Sequence, residues 1–265
     1  MTTAHRRPVW AQARYAHRVL HWEPLSGAAT PALLERLTPQ PGERLLDVGC
    51  GTGGATFPAA ALVGPDGAVV GADVSSAVVQ VAAERAARAG AGNVTFQVAD
   101  MQTARVAGGP FDAAMSQFGV MFFDDPVAAF ANIRAHLRPG GRLCFTCWQP
   151  AGGNAWSYAA LIADLISRPA REGPRPGPFS LANDAGVVAL LDQAGFHAVE
   201  VTSHRAAVEV PLNAVVDDAE LALMGVPPDR IAEAWERVAR HLAAFRTARR
   251  TLRLPIAYLI VTARQ

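Results

Sequence analysis

The chain has 265 residues, 51% apolar and 18% charged, the balance of a globular protein that buries a sizeable core. All 24 basic residues are arginine and the formal net charge is +1, which removes Schiff-base catalysis and a P-loop lysine and leaves no basic excess to meet a nucleic acid backbone. No run of about 18 apolar residues and no leader-like segment occurs, so the expectation is a cytoplasmic protein without a membrane or nucleic-acid partner.

Residues 1–38 carry His5, Trp10, Tyr15, His17, His21 and Trp22 and then the helix-like PALLERL, an N-terminal helical lid rather than a strand. Short apolar runs then alternate with Ala-rich helical stretches: RLLDVG, AVVGAD, VTFQVAD, FDAAMSQ and RLCFTCW. That alternation predicts an α/β fold, a parallel sheet with helices on both faces. Ser75 or Ser76 caps a helix running to about Gly90, and a helix from Asp125-Pro126 ends at Arg138-Pro139-Gly140-Gly141. Cys144 and Cys147 form a C-x-x-C, but on a strand they point to opposite faces and read as buried thiols.

Downstream, the Pro/Gly-rich residues 168–179 predict a loop, 184–195 a helix closed by Gly195, and HAVEVTSH a strand. After Val210-Pro211 a helical block runs to about Arg250, with Ile231, Trp235, Val238, Leu242 and Phe245 on one apolar stripe. IAYLIVTAR is the last strand. The reading is a single domain: lid (1–38), nucleotide-binding core (39–150), and substrate-side helices with the last strands (151–265).

In LLDVGCGTGGAT, Gly49, Gly51 and Gly54 satisfy G-x-G-x-x-G, a spacing that suits either a dinucleotide or S-adenosylmethionine. Asp47, Asp73 and Asp100 lie at three successive strand ends, where ligands of a parallel sheet bind. An ionised Asp47 beside the loop would repel a pyrophosphate, and no arginine lies between residues 45 and 84 to compensate, whereas a sulfonium and an ammonium welcome carboxylates.

With these residues the chain resembles the class I S-adenosylmethionine-dependent methyltransferases, through LLDVGCGTG, GADVS, VAD with Met101, FDAAMSQFGVMFFDDP and LRPGGRL, and through IAYLIVTAR as the terminal strand. The resemblance implies a Rossmann-like, doubly wound seven-stranded sheet whose last strand is antiparallel, with a helical cap inserted before it. It implies S-adenosylmethionine as cofactor and S-adenosylhomocysteine as product. Gly49, Cys50, Gly51 and Gly53, with Tyr15, would lie at the methionine part, Asp47 supporting the loop. Asp73 would bind the ribose and Val74 pack on the adenine, with Ala99, Asp100 and Met101 at the adenine edge. Ser116, Gln117 and Phe118 would face the sulfonium. The fourth motif lacks the Asn/Asp-Pro-Pro-aromatic signature of methyltransferases acting on amino groups of nucleic acids, which argues for a small-molecule acceptor.

Methyl transfer needs alignment and exclusion of water, and a base only when the nucleophile must lose a proton. His17 and His21, a helical turn apart, are the candidate bases, each also readable as a surface or packing residue. His136, His197, His204 and His241 read as structural, and no metal-site spacing occurs. An apolar or aromatic acceptor pocket is expected between the lid, residues 118–123, Trp148, Trp156, the Pro-rich loop and the cap. Arg246, Arg249, Arg250 and Arg253 read as solvated helix surface, or as ligands of an anionic acceptor. Two alternatives stay open: a nicotinamide-dependent oxidoreductase, and a protein that binds S-adenosylmethionine without transferring its methyl.

Overall fold

A computed structural model describes residues 15–166 and 176–265. His5, Trp10 and most of the Pro-rich stretch at 168–175 lie outside the described residues.

The chain opens with α1 (Tyr15–Ser26) and α2 (Thr30–Leu37). The core follows as β1 (Arg44–Val48), α3 (Thr56–Val63), β2 (Ala68–Asp73), α4 (Ser76–Ala89), β3 (Val94–Val98), β4 (Phe111–Gln117), α5 (Pro126–His136) and β5 (Leu137–Trp148). Beyond it lie α6 (Asp184–Gln193), β6 (His197–Val210), α7 (Asp218–Met224), α8 (Ile231–Leu242) and β7 (Leu252–Arg264).

The strands form one seven-stranded sheet in the order β3-β2-β1-β4-β5-β7-β6. The first five are parallel to their neighbours, and β7 runs antiparallel to both β5 and β6. The expected Rossmann-like sheet with an antiparallel last strand, and the helical cap of α7 and α8 before it, are therefore both present. Leu45, Leu46 and Val48 of β1 are buried, as are Ala113, Ala114 and Met115 of β4, because strands covered on both faces tolerate continuous apolar runs. Chain order reverses at β1, placing the switch point between β1 and β4.

Local chemistry sets most helix ends. Asp125 caps α5 by accepting from the Ala128 N–H, with Pro126 in the first turn, and Asn183 caps α6 through the Gly186 N–H. Gly90 closes α4 in left-handed geometry. Ser75 does occupy the N-cap of α4, but its hydroxyl makes no cap bond; the Asp73 carboxylate accepts from the Ser75 N–H instead.

Three expectations are revised. β6 continues past His204 to Val210, because it pairs with β7 from His197↔Arg264 to Val210↔Leu252 and that partner outweighs its mixed polarity. Arg249 and Arg250 lie in the turn between Thr247 and Thr251, not on a helix. Pro139, Gly140 and Gly141 are taken into the start of β5. Cys144 and Cys147 are free and buried; their thiols meet the Leu33 and Leu181 carbonyls, on opposite faces of the sheet as expected.

Candidate active site

The loop after β1 turns tightly because Gly49, Gly51 and Gly53 take φ of +67°, +54° and +89°, backbone that side-chain-bearing residues avoid. Four of its amides are spent internally. Gly49 and Cys50 N–H both donate to the Ala72 carbonyl, Gly51 N–H to the Asp73 carboxylate at 3.0 Å, and Gly53 N–H to the Cys50 carbonyl. These four donors are therefore already committed within the protein.

The expected role of Asp47 as a rim charge is corrected. Asp47 is not on the rim: it is 1% exposed, inside β1, and accepts from the Thr56 hydroxyl at 2.6 Å. Burial pushes its carboxyl up to about 7, so it is no fixed anion beside the loop. Asp73 ends β2, its carboxyl raised by burial and held by the Gly51 and Ser75 N–H groups. Asp100 lies two residues past β3, exposed, and accepts from Gln102.

Val74 is 42% exposed beside Asp73. Ala99 is buried and its N–H donates to the Asp73 carbonyl; Met101 is buried, its carbonyl held by Asn132. Cys50 is buried, which pushes its thiol up. At the end of β4, Ser116 is fully buried, and Gln117 is committed to the Ser26 carbonyl and the Thr30 hydroxyl, pinning the lid to the sheet. The Phe118 ring stacks on Trp148, the centroids 3.8 Å apart.

α1 covers the loop. A Cβ on Gly51 would come within 3.1 Å of Val19, and one on Gly54 within 3.1 Å of the Glu23 carboxylate. Glu23 in turn pairs with Arg85 of α4 at 3.0 Å, and Arg85 also donates to the Thr52 carbonyl. Tyr15 lies near Asp73, and burial followed by that carboxylate lifts its phenol to about 12. On its other side α1 meets the cap: Arg18 pairs with Glu220, and His21 Nδ1 lies 3.4 Å from Asp217 Oδ2. Burial pulls the His21 imidazole below its usual value, partly offset by Asp217. His17 is exposed, its ring 6.1 Å from that of His21.

From His21 a chain of rings leads toward the sheet. Trp22 is 5.1 Å from Trp156, Trp156 is 4.9 Å from Trp148, and Phe118 and Tyr258 complete the cluster. Phe179 stacks on Trp156, whereas Phe122 is 39% exposed and Phe123 packs on Phe130. His136 is structural, accepting from the Val106 N–H, and His241 contacts the Ala155 carbonyl. Arg246, Arg249, Arg250 and Arg253 are exposed. Among the described residues no group of side chains could hold a metal ion, and no helix is long and apolar enough to cross a membrane.

A methyltransferase-domain family model matches residues 39–166. Over 254 residues the chain is 32% identical to a nocamycin O-methyltransferase of Saccharothrix syringae, covering 86% of this chain and 88% of that protein. The chain belongs to the class I S-adenosylmethionine-dependent methyltransferases. An aklanonic acid methyltransferase of Streptomyces sp. (strain C5) is 38% identical over 114 residues, 43% of this methyltransferase and 52% of that one. Two solved structures share the fold. The YcgJ protein of Bacillus subtilis has a TM-score of 0.60 at 15% identity, covering 90% of this chain and 98% of that one. The [4+2]-cyclase SpnF has a TM-score of 0.55 at 23% identity, covering 90% and 80%.

The site suits the family's cofactor on this protein's own atoms. Ser75 Oγ, Ser116 Oγ and Asp47 Oδ1 are buried near the strand ends with no partner among the described residues, Val74 presents an open apolar face, and Gly51 keeps its left-handed backbone close under Val19. Sequence reasoning missed Glu23, Arg85 and Asp217. Asp217 carries a local signal, an acid three residues before Glu220 that marks a helix N-cap, but nothing local ties it to His21.

Proposed function

We propose that this methyltransferase alkylates an oxygen atom of a small apolar or aromatic metabolite, with His21 as the base. The observation that carries the reading is the aromatic wall of Trp22, Trp156, Trp148 and Phe118, the last three buried and packed on one another, which begins at the His21 imidazole, 6.4 Å from the Trp22 ring. Flat apolar acceptors match such a wall, and one polar group at its edge orients the reacting atom. The relatives, among them a nocamycin O-methyltransferase and an O-methyltransferase of Pyrenophora dematioidea, favour oxygen.

S-adenosylmethionine, when bound, supplies a methyl carbon already activated by its sulfonium. The protein's part is to hold and align. In this reading Asp73 takes the ribose hydroxyls, Val74 packs on the adenine, and Ala99, Asp100 and Met101 meet its edge. Gly49, Cys50, Gly51, Gly53 and Tyr15 surround the methionine end, with Asp47 bracing the loop through Thr56 and the Ser116–Phe118 segment beside the sulfonium. The imidazole of His21 takes the acceptor proton, His17 being its exposed neighbour, and α1 excludes water. The three segments work as one cytoplasmic unit with no nucleic-acid substrate.

The test supplies S-adenosylmethionine labelled in the methyl group with 1-naphthol and 1-naphthylamine in parallel. Label is expected in the naphthol ether, and His21→Gln should lose about 100-fold or more in kcat while S-adenosylhomocysteine still binds. Label entering the amine alone, or undiminished turnover in His21→Gln, refutes the reading.

A further inference from the structure

We infer that Asp217, on the cap, is a positioning residue that fixes the tautomer of His21, so that the base exists only when α1 is docked on the cap. The inference rests on the reading of His21 as the base and adds the group that makes it one.

The geometry points this way on three counts. Asp217 divides its carboxylate: Oδ1 accepts from the Glu220 N–H at 2.7 Å and caps α7, leaving Oδ2 facing His21 Nδ1 at 3.4 Å. An acceptor at Nδ1 favours the Nδ1–H tautomer and leaves the Nε2 lone pair bare. His21 Nε2 is itself buried, with no hydrogen-bond partner among the described residues. A separation of 3.4 Å is longer than a closed hydrogen bond, the usual state of such pairs before a substrate arrives.

Other charged and titratable groups surround this pair. From α1 come His17 and Arg18, both opposing a positive His21; from α7, Glu220 is paired with Arg18. Tyr158, whose hydroxyl donates to the Val215 carbonyl, lies near Arg18, Asp217 and Glu220, and burial lifts its phenol. Burial thus favours the neutral form of His21, and Asp217 is the group that stabilises the imidazolium once the proton arrives. In the step, the acceptor O–H proton passes to Nε2. An oxygen lone pair forms the new O–C bond as the methyl–sulfur pair returns to sulfur, and the proton leaves to solvent from the imidazolium.

Asp217 and His21 come from opposite ends of the chain, one on the lid and one on the cap. Docking of α1 therefore assembles the base and covers the glycine loop in one movement, which couples deprotonation to exclusion of water.

Asp217→Asn tests this without removing the cap of α7: the amide oxygen still accepts from the Glu220 N–H, but its NH2 now faces Nδ1 and demands the opposite tautomer. Asp217→Ser is the second variant, keeping a cap and discarding the carboxylate. In full-length protein with S-adenosylhomocysteine bound and 15N-labelled histidine, the His21 signals, assigned by their loss in His21→Gln, should show Nδ1–H in the parent and Nε2–H in Asp217→Asn. With 1-naphthol, kcat should fall about 100-fold in both variants with KM changed less than threefold, and the acid limb of the kcat profile should move to lower pH as the imidazolium loses its carboxylate. An Nε2–H tautomer in the parent, or an unmoved acid limb and undiminished kcat in Asp217→Asn, overturns the inference. If the tautomer behaves as stated yet the parent methylates no hydroxyl, the oxygen-acceptor reading fails while the positioning of His21 by Asp217 stands.

Discussion

Gly49 and Gly51 both hold left-handed backbone, but they are crowded by different things. A Cβ on Gly49 would come within 2.9 Å of the Gly119 Cα, which is backbone and cannot yield; one on Gly51 would meet only the Val19 methyl at 3.1 Å. Each alanine pays for the positive φ, roughly 1 kcal/mol, and Gly49→Ala adds a backbone clash. Gly49→Ala should therefore lose more thermal stability and more S-adenosylhomocysteine affinity than Gly51→Ala, read by melting and calorimetry; the reverse order would show that the Gly49–Gly119 approach is not tight.

Asp47 yields a prediction with a definite sign. Burial lifts its carboxyl from 3.8 to about 7, so the folded chain holds that proton more tightly than the unfolded one. The group therefore costs stability increasingly as pH rises from about 4 to about 7, and the full cost persists above that range. Asp47→Asn retains an acceptor for Thr56 and removes the titration. Its Tm should exceed the parent's at pH 8 and converge with it toward pH 4, a trend that melting curves across that range would reveal or contradict.

α1 as an element explains why the lid is more than an N-terminal addition. Val19 and Glu23, one turn apart, face the glycine loop, whereas Arg18 and His21 face the cap. The Glu23–Arg85 pair is 27% and 34% exposed, so water screens it only in part. It fastens α1 to α4 directly above Thr52. Glu23→Gln and Arg85→Met should each speed dissociation of S-adenosylhomocysteine, by roughly fivefold if the pair contributes about 1 kcal/mol to the closed state. Stopped-flow release measures this, and additive effects in the double variant would show that the two residues do not act as a pair. The same helix shows what element-level sequence reading delivers: the aromatic and histidine content marked a lid, but not which of its faces meets which partner.

Across the whole molecule, Asn154 ties the chain just after β5 to β7. Its Nδ2 donates to the carbonyls of Gln149 and Ala257, each at 3.0 Å, and its Oδ1 accepts from the Ala257 and Trp156 N–H groups at 2.9 and 3.1 Å. Asn154 is 1% exposed, so Asn154→Ala strands the buried Ala257 and Trp156 N–H groups and removes a donor from the Gln149 carbonyl, while the Ala257 carbonyl keeps the Gln149 N–H. A loss of about 2–4 kcal/mol is expected from urea unfolding, with the Tm lowered by several degrees. Trp156 fluorescence should change as well, because its N–H loses its acceptor.

The sequence by itself determined the parallel core, the antiparallel last strand through the family motifs, the glycine loop and the positions of Asp47, Asp73 and Asp100. It could do so because apolar runs, left-handed glycines and helix caps are local properties of a few neighbouring residues. It misjudged what Asp47 does: a carboxylate at a strand end reads as a rim anion, and only packing on every side reveals a group titrating near 7. It missed Asp217, Glu23 with Arg85, and Asn154, and it ended β6 early, because each depends on a partner far away in the chain. Tertiary structure decided those points, since burial and pairing arise only when distant segments exclude water together.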